Sequence, residues 1–290
     1  MDQVASETPG ETPGEFAVSS LNRRPSSGSH ACLAAVALLF AGAACADLGS
    51  GPETPATIEM KPFPSPSVVL GDTLRDEFGM VAPVEAIVRN MKGEIIEGAT
   101  PGYLYADFNR DSALTVGEES GIVAALKTMK GADGRIAARI GSSLQAVASI
   151  AVTLRPDSAW GSAAAEIRVD PTTVKAEPNT TGDFQVSVLN KDSATPSGVA
   201  AWVVRYELVH PANPENDTTA AAWLVDERNR ASLIDTTDAG GKASRRVRVR
   251  ADRFPASESE PDSLVVRVLV HYRGQSLPGT PLVLTTPVRR

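Results

Sequence analysis

The segment Asp107-Phe-Asn109-Arg-Asp111-Ser-Ala-Leu114-Thr-Val-Gly-Glu118 sets carboxylate and amide oxygens at positions 1, 3, 5 and 12 of one loop. Oxygen donors at that spacing converge on a calcium ion, and an apolar residue at position 8, here Leu114, suits such a loop. Ser112 stands where the sharp turn takes glycine. Pro101-Gly102 before the loop and Ser120-Gly121 after it are not helical flanks. Two readings follow: a calcium site with Asp107, Asn109, Asp111 and Glu118 as ligands, or a solvated loop running into a strand at Leu114. The acidic stretch 252–262 is a second cation or partner candidate. Interleaved proline and serine make it a flexible connection first.

Catalytic signals are sparse. His210 and His271 are the only histidines beyond position 45, one before a Pro-rich loop and one ending an apolar run. No G-x-S-x-G, H-E-x-x-H, C-x-x-C, P-loop or G-x-G-x-x-G occurs. The expectation is a non-enzymatic protein without a resident cofactor, calcium being the one candidate. The net charge of −7 argues against nucleic acid as a partner, because that function favours basic patches. Aromatic residues make up 5% of the chain, too few for extensive stacking platforms.

Cys45 carries the other piece of chemistry. It closes an apolar run of about 14 residues, in the range of a signal-peptide core and short of a bilayer span. Arg23 and Arg24 precede that run, and Gly42-Ala43-Ala44 lead into the cysteine. This resembles the lipobox of bacterial lipoproteins, in which the cysteine is diacylglyceryl-modified and becomes the first residue of the mature chain. Gly42 stands where that family usually has leucine. Cleavage after Ala44-Cys45-Ala46, releasing a soluble protein, is the competing reading, and an uncleaved anchor is a third. Each buried methylene of a lipid contributes about 0.8 kcal/mol, so two acyl chains suffice for stable anchoring. Cys32 lies in the removed segment, so no disulfide remains and the fold must stand on its core. The acidic repeat Glu7-Thr-Pro-Gly-Glu-Thr-Pro-Gly-Glu15 is unlike a signal n-region, which places the expected start near Val18 or Leu21. The sequons Asn179-Thr-Thr181 and Asn216-Asp-Thr218 are read as chance matches in a bacterial protein.

The elements that must position these residues read as strands. Residues 46–57 form a Gly/Pro-rich tether. Ser67-Val-Val-Leu70 runs into the turn Gly71-Asp72, and residues 84–89, 122–127, 135–139 and 146–154 follow with turn residues between them. Residues 184–189 alternate, and so does Arg246-Val-Arg-Val-Arg250, with Val247 and Val249 on one face and three arginines on the other. The near-continuous apolar run 263–272 reads as a central strand, and Trp202 as a core anchor. Ile58-x-x-x-Pro62 before Gly71-Asp72 matches Ile167-x-x-x-Pro171 before Gly182-Asp183, a repeat of about 109 residues. Short strands at this spacing, with no sustained helical period, predict β-sandwiches.

The residues resemble bacterial Ig-like (Big) domains. Val68-Val-Leu-Gly-Asp72, Ala86-Ile-Val-Arg-Asn90 with Gly93, Leu114-Thr-Val116 and Ser120-Gly-Ile-Val-Ala-Ala125 follow the group-2 pattern, with Tyr103 or Tyr105 in place of the usual third-strand tryptophan. Thr237-Asp-Ala-Gly-Gly-Lys-Ala243 resembles the invasin/intimin-type relative. There Asp238 to Gly241 would form the hairpin turn, and residues 211–219 would be an insertion. The expectation is an all-β chain of two tandem Ig-like β-sandwich domains: signal 1–45, tether 46–57, first domain 58–155, linker 156–165 and second domain 166–290. The resemblance implies a cell-envelope lipoprotein whose partners are the membrane, through Cys45, and an unspecified protein or glycan. Surface display or adhesion is the first functional reading. It calls for a large apolar or aromatic patch on the outer module. A structural spacer or envelope-assembly component with no ligand of its own is the second, and calls for a charged, patch-free surface and a stiff joint between modules.

Overall fold

Alternation of inward and outward side chains builds the C-terminal sheets. The computed structural model describes residues 51, 53–107, 113–126, 134–169, 179–192, 195–254 and 262–289; Cys45, Asn109 and Asp111 lie outside them. In the strand Lys242–Val249, Ala243, Val247 and Val249 are buried while Ser244, Arg246 and Arg248 face outward, as the sequence pattern requires. That strand pairs with Phe184–Asn190, Asn179–Thr180 and Ala222–Val225; Phe184–Asn190 also pairs with Ser158–Ser162 and Ser197–Gly198. The opposing sheet runs in the order Ile167–Arg168, Leu282–Arg289, Asp262–Leu269, Val203–His210, Ile234–Thr236. Phe184, Val186, Val188, Leu224 and Val247 on one sheet and Val204, Tyr206, Leu264, Val266 and Val268 on the other belong to one core, and all are fully buried. Two sheets closing on one apolar layer make a β-sandwich.

The N-terminal half repeats the plan on a smaller scale. Its main sheet runs Ser67–Val69, Leu144–Thr153, Gly134–Ile140, Gly102–Tyr105, beside the antiparallel pairs Thr57–Met60 with Ala86–Arg89 and Leu114–Val116 with Val123–Ala125. Val68, Leu74, Val84, Tyr103, Leu114, Val123, Ile136 and Ile150 form its core. Tyr103 takes the large aromatic place, and its hydroxyl accepts a bond from the Ala86 amide at 3.1 Å. In each half a short early strand pairs in parallel with the last strand: Ser67–Val69 with Leu144–Thr153, and Ile167–Arg168 with Leu282–Arg289. The sequence repeat does not map onto this shared pairing, because Ile58 lies in an antiparallel pair with Ala86–Arg89 while Ile167 lies in the parallel one. The described residues are all-β and fall within one compact unit that holds both cores.

Three expectations are corrected. The stretch read as linker, 156–165, contains the strand Ser158–Ser162, which pairs with Phe184–Asn190 and buries Ala159. Its small residues look like linker composition, yet they are what lets the strand lie close: a Cβ on Gly161 would sit 2.9 Å from the Gln185 carbonyl oxygen. The apolar run 263–272 is central in its sheet, but it is two strands, Asp262–Leu269 and His271–Tyr272, and Arg267 faces solvent. The turn at Asp238–Gly241 forms as expected, with Gly241 at φ 77° and its amide bonded to the Asp238 carbonyl at 3.0 Å. It joins strands of opposite sheets rather than a hairpin within one.

The segment read as an insertion, 211–219, is locked by its asparagines. Asn216 sits at φ 55°, a conformation asparagine tolerates better than most residues. Its side chain donates to the Leu224 carbonyl at 2.9 Å and accepts from the Leu224 amide at 2.7 Å, so it pairs like one more residue of a strand. Asn216→Ala should destabilise by about 2–3 kcal/mol, since two buried backbone groups lose their partner. Urea unfolding of variant and parent checks this.

Candidate functional site

The residues with the most unusual environment lie where the two cores meet. The chain leaves Ser67–Val69 through Gly71, at φ 74°, and turns at Asp72, whose amide bonds to the Val69 carbonyl at 2.9 Å. This turn aims the Asp72 carboxylate at the second half, with 6% of its side chain exposed. Oδ1 accepts from the Thr73 amide at 2.8 Å and from Arg75 Nη2 at 2.9 Å. Oδ2 accepts from Arg75 Nε at 3.0 Å and from Arg273 Nε at 3.0 Å. Arg75 therefore forks the carboxylate from its own half, and Arg273 reaches it from the other.

Arg273 is placed by a tight turn. His271–Tyr272 pairs with Gln275–Ser276, and both residues of the turn, Arg273 and Gly274, have positive φ, as a type I′ turn requires. The Tyr272 ring lies under both guanidinium groups, 5.3 Å from Arg273 Cζ and 6.0 Å from Arg75 Cζ. Its edge meets Trp202 at 5.9 Å between centroids and 72° between planes. Trp202 is the core anchor expected from its sequence context. An unbroken stack thus runs from the second core through Trp202 and Tyr272 to the two arginines and Asp72.

Backbone contact closes the joint further. Gly79, at φ +79°, lies so close to the turn that a Cβ there would stand 2.5 Å from the Gly274 nitrogen and 2.8 Å from the Arg273 nitrogen. Ser67 and Thr153 hydroxyls donate to the Ala201 and Ala200 carbonyls at 2.5 and 2.7 Å. Val69 packs with the second core. A second line of charge crosses at Glu77, which pairs with Arg205 at 3.0 Å. Glu207 lies 3.7 Å from Arg205 and 3.2 Å from Arg267 on the outer sheet face.

Burial alone would push the Asp72 carboxyl up, but Arg75, Arg273, the Thr73 amide and Tyr272 together hold it well below its ordinary value of 3.8. A carboxylate whose folded-state value is depressed contributes stability that is complete above its unfolded value and fades as pH falls below it. The joint should therefore hold at neutral pH and weaken below about pH 4, the ordinary aspartate value. A pH series of thermal midpoints tests this: Asp72→Asn should flatten the acid limb relative to the parent chain.

The space enclosed at the joint, lined by Ser67, Thr73, Arg75, Glu77, Trp202 and His271, is about 10 Å³. That is room for one water and far below the few hundred Å³ of a ligand pocket.

Of the calcium candidates read from the sequence, Asp107 and Glu118 lie within the described residues. Asp107 is engaged by Arg135, through Nε at 2.7 Å and the backbone amide at 2.8 Å. Glu118 is exposed and lies 3.6 Å from Arg139. His210 meets Asp262 at 3.1 Å, while His271 lines the joint. Leu114–Val116 and Val123–Ala125 pair as the Ig-like reading of that segment requires. The glycine between them is obligatory, since a Cβ on Gly121 would meet the Val84 carbonyl oxygen at 2.4 Å. Among the described residues no three His, Cys, Asp or Glu side chains converge as a metal site. Sequence reasoning missed Arg75, Gly79, Tyr272 and Arg273; the available signals were the turn dipeptides Gly71-Asp72 and Arg273-Gly274.

No protein-family model matches the chain, and the search of curated proteins finds no match. Among solved structures, the chain is similar to domains 4–9 of the surface layer protein SbsC, at 10% identity over 81% of this chain and 30% of that one, with a TM-score of 0.27. It is also similar to domains 5–6 of SbsC, at 13% identity over 81% and 98% of the two chains, with a TM-score of 0.26. A third similarity is to Drosophila N-cadherin EC1–3, at 13% identity over 82% and 68%, with a TM-score of 0.25. The chain spans less than a third of the first of these structures. Likeness at this level of overlap says nothing of ligand or activity.

Proposed function

We propose that this chain is a non-enzymatic spacer of the bacterial cell envelope: Cys45 carries the lipid, residues 46–57 form the tether, and the two sandwiches stand above it as one stiff body. The observation that carries this reading is the Asp72 cluster, a nearly buried carboxylate shared by arginines from both halves. A buried ion pair adds little net stability against an apolar replacement, but it fixes register, because any other arrangement strands a charge. Two parts free to swing would not need it.

The surface of the second half favours the spacer over the adhesive reading. Its exposed large apolar side chains, Trp160, Val209, Ile234 and Val283, do not crowd together without charges: Val283 pairs across the sheet with Arg267, and Ile234 with Arg205. An adhesive tip of the kind expected from sequence would offer a contiguous apolar patch. Cell fractionation tests the anchoring part. Cys45→Ala should move the protein from the membrane to the soluble fraction, and a variant that stays with membranes contradicts it.

A further inference from the structure

The outer face of the sheet around Lys242–Val249 carries a row of arginines that form no salt bridge among the described residues. Arg246 and Arg248 alternate outward on the strand and Arg250 continues the row, so arginine backbone positions recur about every 6.7 Å. Arg248 and Arg250 lie over Trp223, with Cζ 5.7 and 5.5 Å from the ring centroid. Their Nε atoms are buried without a hydrogen-bond partner. Arg246 donates to the Glu227 carbonyl at 2.7 Å, and Arg250 to the Thr218 carbonyl at 3.3 Å. These bonds to neutral carbonyls orient the two side chains.

Acids stand nearby without pairing directly with the row. Asp226 accepts from the amides of Arg228 and Arg230 and from the Arg230 side chain. Asp217 accepts from the Thr219 amide and hydroxyl, and the charges of Arg253 and Arg250 help hold its carboxyl below the ordinary value. Among the described residues the row thus forms no direct ion pair, in a chain of net −7. Covering Trp223 explains the aliphatic stems, because long side chains bury their methylenes and leave the head wet. It does not explain three successive cations with no carboxylate in ion-pair contact among the described residues. On the same face, Lys242 is exposed, and in the next two strands of its row stand Ser187 and Trp160, the latter 53% exposed.

We propose that this sheet face, centred on Arg248, binds a linear anionic glycan. Guanidinium forks suit carboxylate, sulfate or phosphate groups, and their even spacing suits a repeating polymer lying along the strand. Trp160 offers a ring for a sugar of the same chain. A lipid bilayer fits less well, because among the described residues the face has one exposed apolar side chain, Trp160, to insert.

The test is titration of the full chain with heparin, followed by tryptophan fluorescence and calorimetry, with neutral dextran as control. Binding should be lost as salt is raised, because exposed charges are screened. Arg248→Gln, which keeps a polar side chain over Trp223, should weaken binding about tenfold, the effect of one charge-assisted hydrogen bond. Lys242→Gln, at an exposed position that no fold contact requires, should weaken it a few-fold and keeps the test valid if the arginine variants misfold. No binding by the parent chain overturns the proposal, as do equal binding of dextran and undiminished binding by both variants. Preference for phosphatidylglycerol vesicles or a single-stranded oligonucleotide over heparin also overturns it.

Discussion

Gly79→Val is expected to part the two halves while leaving each core folded. The substitution has two costs that can be separated. Positive φ disfavours any side chain, by about 1–2 kcal/mol for an L-residue and more when it is β-branched. The second cost exists only at this joint: the new Cβ would overlap the backbone nitrogens of Gly274 and Arg273. Backbone in a paired turn cannot step aside as a side-chain tip can. Gly93 supplies the control, since its φ is +81° and a Cβ there meets nothing within 4 Å. Gly93→Val should show the conformational cost alone, a fall of several degrees in the thermal midpoint at roughly 2–4 °C per kcal/mol for a chain of this size. Gly79→Val should add a larger radius of gyration in X-ray scattering, with the strand signal in circular dichroism unchanged. Equal behaviour of the two variants would remove Gly79 from the joint.

Asp72→Ala is the second large effect. It leaves Arg75 half-buried with its best partner gone and the Thr73 amide without its acceptor. Removing one member of a buried pair costs about 3–5 kcal/mol; Arg273 is 57% exposed, which discounts the value here to about 2–3 kcal/mol. The expected fall in midpoint is on the order of 5–10 °C. Arg273→Ala alone should do less, because water replaces much of what it loses. In the Arg273→Ala background, Asp72→Ala should cost less than in the parent chain, and that non-additivity measures the coupling across the joint. Full additivity would mean that the two residues stabilise separate things.

The strands were legible because they follow one local rule. Val247 and Val249 are buried and Arg246 and Arg248 are not, as their alternation demanded, and Trp202 lies in the core. The two halves share a parallel pairing of an early strand with the last one, but the repeat of Ile58-x-x-x-Pro62 at Ile167-x-x-x-Pro171 does not align those strands: Ile58 sits in an antiparallel pair and Ile167 in the parallel one. Local rules failed where small residues serve packing. Ser158–Ser162 has the composition of a linker and the pairing of a strand, and only its partner Phe184–Asn190 decides between them.

The joint was illegible for a different reason. Asp72 and Arg273 stand 201 residues apart, and each belongs to a turn that local chemistry fully explains. Nothing within either turn says that the two meet. Asp107 likewise pairs with a residue that its own loop does not announce, the Arg135 guanidinium 28 residues on.

The central claim is that the two sandwiches form one stiff body. The most direct test is a distance distribution by pulsed electron paramagnetic resonance between spin labels at Gln145 and Thr285, both exposed and one in each half. Labels are introduced as cysteines in a chain whose Cys32 and Cys45 are replaced by serine. The account predicts a single narrow distribution at neutral pH that broadens in Gly79→Val. A broad or bimodal distribution in the otherwise unaltered chain, or a narrow one indifferent to Gly79→Val, would contradict it.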